Sequence, residues 1–339
     1  MVDAGFAPGR VRLARELNGW SQAELARRLK LTAQAVGQYE TGTIRPSEES
    51  VARMAEVLDV PPRFFFMELV ETHEGFFRSL RRTSVTHRRR ARALAQIAHD
   101  WAAIDDDTLP VVSLPTPRSI DLHADREEIE TVADAARKGW HLSAGPVPDV
   151  VRLLEDHGVI VIRMPLDTAD VDAFSLPFPD RPIVVLGADK NDRARSRFDA
   201  AHELGHLLLH GEQVWGMREV ENQAHRFAAA FLMPRDDIFD DLPSQADWPV
   251  LFSLKLKWQV SLAALLVRAR DLEKMSPATY LSTMKLVSAR GWRRIEPVPL
   301  GLPEQPRLLG MLASKGPNRS ADTVLPSRTL KALLGATAD

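Results

Sequence analysis

The chain has 339 residues, enough for about two or three domains, with 45% hydrophobic residues and a formal charge of −2 from 44 basic and 46 acidic side chains. It contains no cysteine, which excludes a disulfide scaffold, a thiol nucleophile and any cysteine-held metal, so a bound ion must be held by His, Asp or Glu. No apolar run approaches the roughly 18 residues of a membrane span and residues 1–20 lack a signal-peptide pattern, so a cytoplasmic protein without a membrane partner is expected.

In chain order, residues 8–67 read as four helices. Val11, Leu13, Ala14 and Leu17 make one apolar stripe, stopped by Asn18-Gly19. Ser21 followed by Glu24 is a capping-box pattern, opening a helix that carries Ala23, Leu25, Ala26 and Leu29. Thr32 caps the next, which Thr41-Gly42 ends; Ser47 starts the fourth, and Pro61-Pro62 closes it.

Residues 21–40, SQAELARRLKLTAQAVGQYE, have the layout of a helix-turn-helix. Ala26 is small where two helices must approach, and Leu31 and Val36 are apolar where the second must pack on the first. The other side of that second helix presents Thr32, Ala33, Gln34, Gly37 and Gln38. Short polar side chains at the front of a helix suit a major groove, and Gln can bond adenine bidentately, so Thr32, Ala33, Gln34 and Gln38 are candidate contacts to double-stranded DNA. Gln22, at the start of the preceding helix, is placed for a phosphate. The stretch from about Arg10 to Phe66, including ETGTIRPS at Glu40–Ser47, resembles the Xre/Cro-type phage-repressor domain. That resemblance implies operator binding, and domains of this type bind half-sites as dimers, so a homodimer is expected.

From Phe64 to about Ala103 the text reads as helical and strongly basic, with Arg78, Arg81, Arg82, Arg88, Arg89, Arg90 and Arg92. These arginines either contact phosphates or form the solvated face of a connecting helix. Asp105-Asp106-Asp107 and the prolines at 110, 115 and 117 mark a break. Helices are expected at 126–141 and 150–156, and short strands at 159–162 and 183–186. The segment Arg181–Leu186 is readable as an edge that pairs with an extended peptide or as an ordinary core strand. Two longer helices follow near 195–210 and 219–233, then further helices over 247–290. The last 40 or so residues, rich in Pro, Gly and Ser, show no strong period.

His202-Glu203-Leu204-Gly205-His206 sits in the first of the two long helices. Positions i and i+4 share a helix face, so both imidazoles can meet one metal ion, and neutral imidazole suits zinc. Glu203 can reach a water at that ion and take its proton as general base. A catalytic zinc needs a third protein ligand and one open position. In the second helix Glu221, Ala224 and Ala228 share a face, which places a carboxylate beside small residues; Glu219 is the other carboxylate in reach. His210 is either a helix-end residue or a contact to metal or substrate, His225 orients a neighbouring group or sits half exposed, and His141 and His157 read as structural.

RSRFDAAHELGHLLLH at Arg195–His210 and ENQAHRFAAAFLMP at Glu221–Pro234 resemble the ImmA/IrrE family of zinc metallopeptidases, as do DAFS at Asp172–Ser175, RPIVVL at Arg181–Leu186 and LKLKWQVSLAALLVRARDL at Leu254–Leu272. The resemblance implies gluzincin-like enzymes acting on helix-turn-helix repressors, with His202, His206 and Glu221 as zinc ligands and Glu203 as base. His225 stands where many relatives have Asn. The same ligand types accept manganese or iron.

The expected fold is therefore α+β and mostly helical: an all-α helix-turn-helix domain over 1–67, a basic helical connector over 68–119, a zincin-like metallopeptidase domain with a small sheet over 120–290, and a partly loose extension over 291–339. The expected function is a DNA-binding regulator whose zinc endopeptidase cleaves a helix-turn-helix repressor, either a partner or another copy of itself. The alternative is a regulator whose peptidase-like domain only senses or dimerises. The helices over 258–270 look like a second helix-turn-helix but lack a basic front, which favours packing.

Overall fold

The computed structural model describes residues 5–70, 72, 76–77, 84–104, 108–115, 120–166, 173–189, 191–210, 217–314 and 320–335, with the side chains at 76, 77, 320, 322 and 335 left aside. The N-terminal helices are α1 (Pro8–Leu17), α2 (Gln22–Leu29), α3 (Ala33–Thr41) and α4 (Glu48–Leu58), followed by a 3-10 turn at Pro62–Phe66. Their caps follow from the sequence. Ser21 Oγ accepts from Glu24 N while Glu24 accepts from Ser21 N, and Thr32 and Ser47 accept from the amides of Ala35 and Ser50. Lys30 takes the left-handed conformation at φ 56°, and Leu31 N closes back on Ala26 O at 2.9 Å. That turn sends Leu31 outward. It stays 38% exposed instead of packing between the helices, and Leu29 and Val36 fill the space.

The basic stretch is not one helix. Phe76–Phe77 form a short strand, β1, and α5 runs only from Val85 to Ile104. Adjacent aromatics suit a strand that finds a partner edge, and β1 pairs with the sheet described next. Arg78, Arg81 and Arg82 lie outside the described residues. On α5, Arg89 reaches Glu16 at 3.8 Å and Arg92 donates to Thr72 O at 2.6 Å.

The sheet follows α6 (Arg126–Gly139) and α7 (Val150–Asp156), and consists of β1, β2 (Ile160–Met164), β3 (Ala173–Leu176) and β4 (Ile183–Gly187) in the order β1-β3-β4-β2. β2 and β4 are parallel, whereas β3 is antiparallel to both β1 and β4. Phe76, Ser175, Val184 and Val161 stand in one row across it. β4 is therefore interior. Its two backbone edges are already paired, so the reading of Arg181–Leu186 as a peptide-binding edge is set aside in favour of a core strand.

Strand alternation divides the core in two. Val161, Ala173, Val184 and Leu186 face α7, α8 (Arg193–Leu209) and α9 (Arg218–Leu232), and this core continues through α10 (Arg235–Ile238), α11 (Trp248–Trp258), α12 (Leu262–Asp271) and α13 (Pro277–Ala289). Trp258, Leu262, Leu265 and Leu266 of the α11–α12 pair are fully buried there, so this pair packs rather than presenting a reading face. Among the described residues no single helix is long and apolar enough to cross a membrane.

Ile160, Ile162, Phe174, Ile183 and Val185 point the other way, onto α5, α14 (Leu308–Ser314) and α16 (Ser327–Gly335), while α15 (Ser320–Val324) packs on α5 and the 3-10 turn. The segment expected to be partly loose thus holds three helices whose Leu308, Leu312, Ala321 and Leu333 are buried. This second core also includes Val11, Leu25, Val36 and Phe64, so the N-terminal bundle and the outer face of the sheet share one apolar interior. α5 is its middle layer, anchored by a buried Arg10–Asp100 ion pair to α1 and by His99 Nε2 to Asp180 at 2.9 Å.

Two carboxylates dock the C-terminal segment. Glu155 on α7 accepts from the amides of Arg307 and Leu308 at 2.9–3.0 Å, capping α14, and Glu304 accepts from those of Val150 and Val151, capping α7. Burial raises the Glu155 pKa from 4.5 to about 7, against the opposing pull of those amides. A carboxyl raised on folding stabilises most below its unfolded value and loses that contribution as pH climbs through the folded one. Stability is thus expected to fall between pH 4.5 and about 7 by up to about 1.4 kcal/mol per pH unit, the limit for one proton. Denaturant melts across that range check it: Glu155→Gln should flatten the slope relative to the wild type.

Candidate metal centre and DNA-facing helix

α8 is capped by Asp192, whose side chain accepts from Arg195 N, and carries His202, Glu203 and His206 into the interior. All three are at most 1% exposed. α9 crosses closely because Gly205 has no side chain: a Cβ there would lie 3.0 Å from the Phe227 ring and 3.3 Å from Ala224 Cα and O. Ala224 is three residues past Glu221, so the glycine inside the His-Glu-x-x-His stretch sets how near the third acid can come.

Glu221 comes near. His202 Nε2 and His206 Nε2 are 3.0 Å apart, and the Glu221 carboxylate stands 3.3 Å from the first and 3.6 Å from the second. Two ligands bound at about 2.0–2.1 Å on one tetrahedral zinc are roughly 3.3 Å apart. The three donor separations bracket that edge, so the residues fit a zinc-sized ion. Glu219, exposed in the first turn of α9, is not part of this group. Glu203 points to a different partner, accepting from Ser175 Oγ of β3 at 2.7 Å.

A hydrogen-bonded relay lies behind His206. Gln223 donates through Nε2 to the carbonyls of Asp121 and Leu122 at 2.8 and 3.0 Å, which leaves its oxygen to accept from His210 Nε2 at 3.0 Å. His210 is then unprotonated at Nδ1 and accepts from His206 Nδ1, 3.0 Å away. His206 in turn keeps a lone pair on Nε2, the nitrogen that faces His202 and Glu221. Burial pulls the His210 pKa down, favouring the neutral ring this relay needs. His210 is the C-cap residue of α8, its amide donating to His206 O at 3.1 Å as the helix-end reading expects, and its ring also meets a neighbouring imidazole. His210→Ala is expected to lower zinc affinity by about 10–100-fold, read by competition with a chromophoric chelator; unchanged affinity would sink the relay. His157 is far from this centre in role, stacked on Trp140 at 4.4 Å and bonded to Ser113.

Neither Ser175 nor Gln223 stands out in the sequence as a site residue. Ser175 carries a weak signal as the last residue of DAFS. Gln223 carries none, because only the crossing of α9 over the 121–122 loop gives it partners.

On the N-terminal bundle, Thr32, Ala33 and Gln34 are exposed at the start of α3 and Gln38 is half exposed. Thr32 also caps the helix through Ala35 N at 3.1 Å. Gln22 is exposed, but its amide already donates to Glu40 at 2.9 Å, and Glu40 is held by Arg15 at 2.6 Å. This fixes the Gln22 side chain beside α3.

Comparison with known proteins agrees with both halves. Residues 154–270 match the peptidase family model described as the IrrE N-terminal-like domain, and residues 11–65 match the helix-turn-helix model. The chain carries an Xre-type helix-turn-helix domain and an IrrE/ImmA-like domain. Over 57 residues, 17% of this chain, it is 39% identical to uncharacterized HTH-type transcriptional regulators of Sinorhizobium medicae (strain WSM419) and Rhizobium meliloti (strain 1021). The match spans 41% of the length of those relatives. The IrrE-like match begins on α7 and ends on α12, so it contains α8, α9 and every donor of the candidate centre.

Proposed function

We propose that the chain is a DNA-binding transcriptional regulator whose IrrE-like domain is a zinc-dependent endopeptidase acting on a helix-turn-helix repressor. The observation that carries the hydrolase half is the separation of roles in α8. Two imidazoles converge with Glu221 at ligand spacing, while the carboxylate between them accepts from Ser175 Oγ on β3.

In this reading His202, His206 and Glu221 hold the ion, and the relay through His210 and Gln223 keeps His206 Nε2 deprotonated. When bound, zinc supplies a polarised scissile carbonyl and a water of lowered pKa. Glu203 would serve as general base, taking a proton from water on the oxygen not held by Ser175 and passing it to the leaving amine. Ser175, donating to the other oxygen, fixes the rotamer of the base. Burial of Glu203 at 1% exposure excludes bulk solvent from the carboxylate.

The N-terminal domain would deliver this chemistry to DNA as a homodimer, with Gln34 and Gln38 reading bases, Thr32 and Ala33 against the groove, and Gln22 at a phosphate. A DNA-reading face fits a cytoplasmic site of action. The test is to capture operator fragments with the purified protein, then incubate it with the helix-turn-helix regulators encoded beside those sites. Scission with zinc present and none with a chelator supports the reading. Operator binding without scission of any such regulator would leave the domain as a sensing or dimerising module.

A further inference from the structure

His225 is the residue of α9 that the proposed reaction does not use, and its surroundings give it a role. It lies four residues after Glu221, on the same helix face. One donor atom from each of His202, Glu221 and His225 lies within 4.8 Å of the other two. The His225 ring stands 4.5 Å from that of His202, nearly perpendicular to it at 80°. Its Nδ1 is 2.9 Å from the Glu221 backbone carbonyl. A carbonyl only accepts, so Nδ1 carries the proton and Nε2 is the basic nitrogen of the neutral ring. This is how a metal-binding imidazole is held: one nitrogen donates to a backbone carbonyl while the other meets the ion.

We propose that His225 is a fourth, displaceable protein ligand that closes the metal centre at rest. This deepens the zinc reading above and rests on it. Three ligands leave a tetrahedral ion one open position, the mark of a catalytic site, and four protein ligands close it. Donors on one zinc stand roughly 3.3 Å apart, so the His225 ring has to turn toward the ion for its Nε2 to bind. The side chain is half exposed and its nearest aromatic neighbour other than His202, Phe198, lies at 5.8 Å between ring centres, so a rotamer change meets little packing. The protonation state separates this role from another. A histidine that donates to the developing oxyanion must be protonated at Nε2, and the Nδ1–carbonyl bond selects the opposite tautomer. Substrate would then enter by displacing His225, which makes the resting regulator a metal-loaded but blocked hydrolase.

The test uses the full-length protein, His225→Ala and His225→Asn, with folding checked by far-ultraviolet circular dichroism. Asn keeps a side-chain donor for the Glu221 carbonyl and offers no imidazole, so it guards against a merely structural effect of Ala. Zinc affinity is expected to fall by about tenfold or more in both variants. With cobalt(II) in place of zinc, azide should shift the visible spectrum of both variants at concentrations that leave the wild type unchanged. Wild-type-like affinity and wild-type-like azide response in the folded Asn variant would overturn the proposal, while leaving the three-ligand reading intact. A wild type that takes up neither zinc nor cobalt would overturn both together.

Discussion

Replacing Glu203 by Gln is expected to leave zinc content unchanged and to cut repressor cleavage by about 10²–10⁴-fold, the usual contribution of a positioned general base. The side chain is buried and its Oε2 accepts from Ser175 Oγ at 2.7 Å. An amide oxygen can accept the same bond, so the variant keeps shape and packing while losing the lone pair that takes a proton. The converging donors are His202, His206 and Glu221, and none of them is altered. Metal analysis and a cleavage assay on the same preparation separate the outcomes. A zinc-loaded variant cutting at the wild-type rate would remove Glu203 from the chemistry. A zinc-free variant would mean that it is a ligand.

The second large effect is on stability. Asp100→Ala is expected to cost about 3–5 kcal/mol, because it leaves a buried arginine without its counter-charge. Arg10 of α1 and Asp100 of α5 are both buried and pair directly, and Gln96 adds a bond to Asp100 at 3.1 Å. Arg10 also reaches the carbonyls of Met67 and Glu68. The pair clamps the N-terminal bundle to the helix that covers the sheet. Guanidinium denaturation read by tryptophan fluorescence checks it, since Trp101 is buried one residue away. A loss below about 1 kcal/mol, the range of an exposed pair, would show that this ion pair does not hold the bundle to α5.

Much of this was readable in advance, and the reason is local. Capping residues act within three positions, so Ser21 with Glu24, Thr32 and Ser47 announce where α2, α3 and α4 begin. A helix repeats every 3.6 residues, so two histidines four apart must share a face. Glu221 was legible for the same reason, as a carboxylate on a face of small residues. The errors are equally instructive. Leu31 is apolar and next to a helix, yet a left-handed Lys30 turns it outward. For Arg181–Leu186 the core-strand alternative holds, but its place within the sheet depends on strands at 160–164 and 173–176, which no pattern inside the run reveals. The basic stretch after Phe64 has a helical composition, but Phe76–Phe77 follow the free edge of β3 instead.

By itself the chain's text determined the helix-turn-helix, the pair of imidazoles with their intervening acid, and the lack of sulfur donors, because each depends on residue type and on neighbours within a turn or two. Only the folded structure decided that Gly205 admits α9, that Gln223 and His210 orient His206, that Ser175 holds Glu203, and that the last helices complete the interior shared with the DNA-binding bundle. Apart from the His206–His210 pair, one helical turn apart, those features join segments from about a dozen to hundreds of residues apart. Their energies come from burial and from hydrogen bonds that exist only once distant surfaces meet, and short-range periodicity carries no trace of them.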